Sequence, residues 1–136
     1  MKKIAEIVDR KKSQMDTIKE EIDTIPHFEI ESIKEQLGAD IVADILIDSP
    51  ESLEKAYKTL SALVASSDLN GLNSAGHKMY GTAVTLGLTR LAHMLNYFTQ
   101  MKSFDKRTAR SLLAAIKTEM DLVTVLIEAE NAKNQS

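Results

Sequence analysis

The sequence predicts an all-α fold, an antiparallel four-helix bundle with an additional N-terminal helix. Glycine and proline, which most often interrupt helices, number only five and two among the 136 residues. Apolar residues recur every three or four positions through most of the chain, which is the spacing of one helix face. The pattern indicates an amphipathic helix in 1–25, serving as a linker or as an addition to the bundle, the bundle itself in 26–131 and a frayed polar tail in 132–136.

Composition and charge argue against several classes of function. The net charge of −3 gives no general reason to bind nucleic acid. The chain has no cysteine, which excludes disulfides and thiolate metal sites, and its three histidines lack the i,i+3 or i,i+4 spacing of a metal site. No apolar run reaches the roughly 18 residues of a membrane span, and the N-terminus lacks an apolar signal core. We therefore expect a cytoplasmic protein that binds no metal of its own.

The first helix carries a narrow apolar seam on an otherwise charged surface. Pro26 is predicted to end it. Such a seam packs along one groove of a bundle or pairs with a second copy of itself. We expect a monomer, and a dimer through residues 2–25 is the alternative. The seam consists of Ile4, Val8, Met15, Ile18, Ile22 and Ile25.

Two short helices and one long helix are expected next. Phe28 to Leu37 has helical spacing, and Gly38 can close that helix in a left-handed conformation. Asp40 is predicted to cap the following helix. Ser49-Pro50-Glu51 then has the order of a cap, a first-turn proline and a first-turn acid. Either a new helix begins there or one long helix is kinked.

Three further helices complete the prediction. Asp68 is expected to cap a helix that extends from Leu69 to about Leu86, and another follows from Leu88 to about Lys102. Asp105 is expected to cap the last helix. The buried seam of the first of the three is predicted to contain Leu69, Leu72, Gly76, Met79, Ala83 and Leu86.

His77 lies outside that seam, roughly 130° from its centre at about 100° per residue, and is predicted to be exposed. Gly81 follows one turn later on the outward face, where it costs about 1 kcal/mol relative to Ala. Its missing side chain leaves room for a large partner to approach the imidazole. A neutral imidazole can attack a phosphoryl group and hold it as a phosphoramidate. By themselves these residues leave open that His77 is an ordinary surface histidine.

The segment Ala75-Gly76-His77-Lys78-Met79-Tyr80-Gly81-Thr82-Ala83, with Leu86-Gly87-Leu88 and Leu91-Ala92 after it, resembles the signature of histidine phosphotransfer (HPt) domains. That signature is a small residue, His, two variable positions, Lys, Gly and a small residue, then Leu-Gly and Leu-Ala. The resemblance covers about residues 28–128. It implies a four-helix bundle with His77 as the phospho-acceptor and Gly81 as the glycine that admits a receiver domain.

The resemblance also implies a role and partners. HPt domains relay phosphoryl groups between receiver-domain aspartates of two-component phosphorelays, as free proteins or as the C-terminal module of a hybrid sensor histidine kinase. The implied partners are therefore response-regulator receiver domains and such a kinase. The domain is a phosphocarrier with no catalytic activity in isolation and no cofactor, because the receiver supplies Mg²⁺.

One position departs from the signature. The family usually has Lys three residues after the histidine, where this chain has Tyr80. A lysine would offset the phosphoryl charge, whereas a tyrosine can only donate a hydrogen bond. Lys78 points about 100° away around the helix but could curl back, and Arg90 is a second candidate cation. The departure favours the alternative of a non-phosphorylated adaptor that binds a receiver or a kinase.

The predicted site is a docking patch around the phospho-acceptor His77. Its other members are Asn73, Ser74, Lys78, Tyr80, Gly81 and Val84. A third alternative is a structural helical module that dimerises through residues 2–25, with His77 incidental. Of the remaining histidines, His93 is predicted to be an exposed, solvated side chain and His27 a cap or loop residue.

Overall fold

The computed structural model describes residues 20–134, and no strand occurs among them. The chain is therefore all-α over this range, as predicted. A helical turn ends at Ile22, four residues before Pro26, and the seam predicted in residues 2–19 lies outside the described part. The helices that follow are α1 (Ile30–Leu37), α2 (Ala39–Ile47), α3 (Ser49–Ala65), α4 (Leu69–Thr85), α5 (Thr89–Gln100) and α6 (Lys106–Asn134).

Two of the predicted caps are confirmed. The Asp68 carboxylate accepts a hydrogen bond of 2.9 Å from the Gly71 backbone N–H at the start of α4. The Asp105 carboxylate accepts from the Arg107 N–H at 3.1 Å and from the Thr108 hydroxyl at 2.7 Å at the start of α6. These bonds satisfy donors that the first turn of a helix leaves without an intrahelical partner.

Other predicted ends differ from the structure. Asp40 does not cap α2, because that helix begins one residue earlier, directly after Gly38. Ser49 lies inside α3 rather than before it: it is buried, and its hydroxyl donates to the Leu46 carbonyl at 2.9 Å. A new helix does begin there, with Pro50 in its first turn. At the other end of the chain, α6 continues to Asn134, into the segment expected to be frayed.

The four longer helices pack in a closed ring, in which α3 contacts α4, α4 contacts α5, α5 contacts α6 and α6 contacts α3. Helix α2 packs against α3 and α6, and α1 packs against α2. The side chains inside the ring are fully buried, so the apolar stripes of these helices supply the main driving force for folding. Fully buried members include Leu53, Leu60, Leu72, Leu95, Phe98, Leu112 and Ile116.

Helices α4 and α5 approach each other closely at Gly76. A Cβ at this position would lie 3.0 Å from the Phe98 Cβ and 3.4 Å from the Thr99 backbone nitrogen. The Asn73 amide, one turn earlier, donates to the carbonyls of Phe98 at 2.7 Å and Met101 at 3.0 Å. Gly76 thus permits the contact, and Asn73 satisfies carbonyls that the end of α5 leaves open.

The turn between α4 and α5 also holds the start of α1. Gly87 has a φ of +74°, which favours glycine, and a Cβ there would lie 3.1 Å from the Glu29 carbonyl. The Glu29 N–H donates to the Gly87 carbonyl at 2.7 Å. The connection before α1 is therefore fixed against the end of α4, the helix that carries His77.

None of the helices within residues 20–134 is long and apolar enough to cross a membrane.

Candidate functional site

His77 is exposed on the outer face of α4, as its spacing predicts. The opposite face of the helix is buried through Leu72, Gly76, Met79 and Ala83. Among the residues that the structure describes, none forms a hydrogen bond or an ion pair with the His77 imidazole. Both ring nitrogens are therefore open to a group brought by a partner.

Gly81 lies one turn after His77 and is also exposed. Within residues 20–134, no atom lies within 4 Å of a Cβ placed at Gly81. In this part of the chain the glycine therefore serves no packing contact, in contrast to Gly76, where a Cβ would meet α5. Glycine inside a helix is about 1 kcal/mol less stable than alanine, and here it lies at a position with open space in front of it.

Tyr80 occupies the position where the HPt signature has lysine. Its ring is nearly parallel to that of His77, with an angle of 18° between the planes and 6.5 Å between the centroids. The side chain is half-buried and lines a groove between α4 and α5 together with Val84 and Ala92. A neutral, anchored aromatic ring thus stands where the signature places a flexible cation.

Lys78 and Arg90 are the two cations that the sequence offers in place of that lysine. Lys78 is exposed and lines a separate groove of about 360 Å³ between α3 and α4, beside Lys55 and Thr59. Arg90 donates from Nε to the Ile25 carbonyl at 2.7 Å and from Nη2 to the Asp23 carbonyl at 3.1 Å. Its guanidinium is used to hold residues 23–25, so Arg90 is not the free cation that the sequence suggested.

The remaining members of the predicted patch differ in how accessible their side chains are to a partner. Ser74 is exposed, and Val84 is 51% exposed. Asn73 is half-buried, and its amide group is bound to the end of α5. Ser74 and Val84 can therefore touch a partner directly, whereas Asn73 supports the helix pair beneath them.

The His93 side chain is 40% exposed, in line with its predicted position on α5, but it is not free in solvent. Its Nε2 is buried and lies 3.7 Å from a carboxylate oxygen of Glu21, and its ring meets Tyr97 edge to face at 5.6 Å. Tyr97 donates a hydrogen bond to the same carboxylate. Burial and the bound Glu21 carboxylate raise the pKa of Tyr97 to about 12. The position of Glu21 beside His93 could not be predicted from periodicity alone.

His27 has a specific partner that the sequence did not predict. Its Nδ1 lies 2.7 and 3.0 Å from the two carboxylate oxygens of Glu119, and Glu119 is buried. The signal in the sequence was the position of Glu119, which is adjacent to Met120 and three residues after Ile116 at the edge of the apolar stripe of α6. A carboxylate there needs a buried partner.

No group of three His, Asp or Glu side chains that could hold a metal ion occurs within residues 20–134. Comparisons of the chain with protein-family models, with curated protein sequences and with solved structures found no match.

Proposed function

We propose that this chain is a histidine phosphotransfer domain, a four-helix bundle of the HPt type that relays a phosphoryl group through His77. Its partners would be response-regulator receiver domains in the cytoplasm, either free or joined to a hybrid sensor histidine kinase. The observation that carries the proposal is the exposed His77 imidazole one turn before a glycine with open space in front of it.

The chemistry needs little from the chain itself. A lone pair on one ring nitrogen of His77 attacks the phosphorus of an aspartyl phosphate on the partner, a nitrogen–phosphorus bond forms, and the phosphorus–oxygen bond to the aspartate breaks. The carboxylate leaves with the electron pair of that bond. The second ring nitrogen retains its proton during the attack, and the same steps in reverse pass the phosphoryl group to a second aspartate. The receiver supplies Mg²⁺ to stabilise the charge on the transferring oxygens.

A non-phosphorylated adaptor is the second candidate, and Tyr80 is the observation that favours it. The position beside His77 holds a neutral ring packed into the α4–α5 groove. Lys78 lines a groove on the side facing α3, and Arg90 is bound to backbone carbonyls. A phosphoryl group on His77 would therefore have less charge compensation from the chain than the signature provides.

The test is the intact mass of the full chain after mixing with a phosphorylated receiver domain and Mg²⁺, across a panel of receivers. The pH is kept neutral to mildly alkaline because phosphohistidine is labile to acid. We expect a gain of one phosphoryl group, mapped to His77 rather than to His27 or His93, and its loss in His77→Gln with unchanged helicity. Uptake that persists in His77→Gln would refute the proposal.

A second variant tests access to the site. Gly81→Asp places bulk and negative charge in the open space beside His77, so transfer from the receiver should fall at least about tenfold. Gly81→Ala is the matched control, since its methyl group adds no charge and little bulk. Equal transfer in the Asp variant and the wild type would show that the partner does not approach over Gly81.

A further inference from the structure

The groove that Tyr80 lines between α4 and α5 opens next to the exposed part of the predicted patch. It has a volume of about 330 Å³ and lies between α4, α5 and the segment formed by residues 20–27, here called the N-terminal segment. Its apolar walls are Tyr80 and Val84 of α4, Ala92 of α5 and Ile25 of the N-terminal segment. Because Tyr80 and Val84 share the helix face of His77, the groove is continuous with the surface around the imidazole.

The N-terminal segment is firmly attached where it forms this wall. Arg90 binds three successive parts of it, through the Ile25 carbonyl at 2.7 Å, the Asp23 carbonyl at 3.1 Å and a backbone N–H donated to the Pro26 carbonyl at 2.9 Å. Ile22 is buried in the core. Arg90 thus acts as a positioning residue that keeps Ile25 at the groove.

Two carboxylates lie against residues that line this groove. The Glu21 carboxylate lies 3.7 Å from the Nε2 of His93, a residue of the groove, and the Glu29 carboxylate accepts from the Thr89 hydroxyl, also of the groove, at 2.9 Å. Asp23, two residues before Ile25 of the groove, is exposed. Among residues 20–134, the neighbouring Arg90 donates to backbone carbonyls rather than to these carboxylates. The rim therefore favours an occupant with positive charge.

We propose that the N-terminal segment and this groove form a second part of the receiver-docking surface. The occupant is an apolar side chain on a receiver helix that carries Lys or Arg beside it. The apolar side chain fills the groove against Ile25 and Val84, and the basic neighbour faces the rim at Asp23. This inference rests on the proposed function, because it assigns the partner's contacts beyond His77 and Gly81.

The experiment measures the rate of phosphoryl transfer from a phosphorylated receiver, with Mg²⁺, at increasing concentrations of the full-length chain. The receiver is one that phosphorylates the wild type. Ile25→Asp should raise KM about tenfold or more and change kcat less than about twofold, because docking weakens while the imidazole is untouched. Asp23→Lys should raise KM about threefold at low salt and less at high salt.

Matched control variants carry the same types of substitution, an apolar residue to Asp and an Asp to Lys, outside the groove. Val125→Asp alters a side chain that is 62% exposed on α6, and Asp44→Lys alters an exposed residue of α2. Both should leave KM and kcat at wild-type values. Circular dichroism checks the fold of each variant. If Ile25→Asp does not fold, Asp23→Lys still tests the inference, because Asp23 is exposed and its substitution leaves the core intact.

The outcomes separate this inference from the proposed function. If the wild type accepts phosphate and both groove variants match their controls, the inference is overturned and the relay stands. A fall in kcat at constant KM would also overturn it. If the wild type accepts no phosphate from any receiver or from phosphoramidate, the relay fails, and binding of the unphosphorylated receivers is measured instead. Weaker binding by both groove variants than by the controls would then support the surface, and equal binding or none would overturn it.

Discussion

Nδ1 of His27 lies 2.7 and 3.0 Å from the two carboxylate oxygens of Glu119, a residue 92 positions later in the chain. The pair joins the connection before α1 to the middle of α6. Glu119 is buried, while the His27 side chain is 35% exposed. The contact therefore gives a buried carboxylate its partner and fixes the N-terminal segment at the same time.

Removing His27 should cost more when Glu119 is present than when Glu119 has been replaced. His27→Ala leaves the Glu119 carboxylate buried without its partner, and we expect a loss of about 1–3 kcal/mol in the free energy of unfolding. In a Glu119→Met background the same substitution should cost about 1 kcal/mol less. Urea denaturation of the four proteins in the cycle measures this difference. If His27→Ala lowered the free energy of unfolding equally in the wild type and in Glu119→Met, the two side chains would have no coupling energy.

Substituting alanine for the two glycines of α4 should change stability in opposite directions. The Cβ of Gly81→Ala enters open space, so the variant gains helix propensity, about 1 kcal/mol, and its Tm should rise by about 4 °C. The Cβ of Gly76→Ala lies 3.0 Å from the Phe98 Cβ, so α4 and α5 must move apart at a cost of about 1–3 kcal/mol. Thermal unfolding followed by circular dichroism compares the two. A lower Tm for Gly81→Ala would contradict the view that this glycine has no role in packing.

Tyr80→Lys should distinguish the relay from the adaptor. If His77 carries phosphate, a lysine one turn away offsets the charge on its oxygens, and we expect transfer from a receiver to be about tenfold faster. Tyr80→Phe is the matched control, because it keeps the ring in the groove and removes only the hydroxyl. Intact mass at successive times gives the rates. If the wild type, Tyr80→Lys and Tyr80→Phe all accept no phosphate, the adaptor is favoured.

Tyr97 should make stability depend on pH in the alkaline range. Its pKa is about 12 in the folded chain, raised from 10.0 by burial and by the Glu21 carboxylate, whereas the unfolded chain has the ordinary value. The stabilising contribution is therefore complete below about pH 10 and is lost as the pH rises from 10 towards 12. The difference in unfolding free energy between the wild type and Tyr97→Phe should narrow over that range. A difference that stays constant with pH would show that the folded and unfolded chains bind this proton equally.

Local rules predicted the parts of the site that lie on one helix. The 3.6-residue period fixed the buried face of α4, and the exposure of His77 and Gly81 followed from it. The cap at Asp68 was predictable because a side-chain oxygen before an apolar helix satisfies its first donors. By contrast, Asp40 was wrongly predicted as a cap, because the local pattern also fits a helix that begins at Ala39 with Gly38 at the N-cap.

The sequence did not predict the contacts between distant segments of the chain. His93 was predicted to be an exposed, solvated side chain; the side chain is 40% exposed, but its Nε2 is buried and lies 3.7 Å from the Glu21 carboxylate. Arg90 was considered for the phosphoryl group, yet its guanidinium binds the carbonyls of Ile25 and Asp23. Periodicity describes which face of a helix is apolar, and it does not say which segment lies against the polar side chains at the edge of that face.

By itself, the sequence determined the all-α class, the main helices and the outward position of His77, because each depends on spacing within a single helix. Only the tertiary structure decided that His27 meets Glu119, that Arg90 holds the N-terminal segment, and that this segment forms a groove with α4 and α5. Those contacts join residues far apart in the chain, and their partners are selected by how the helices pack together rather than by any local preference.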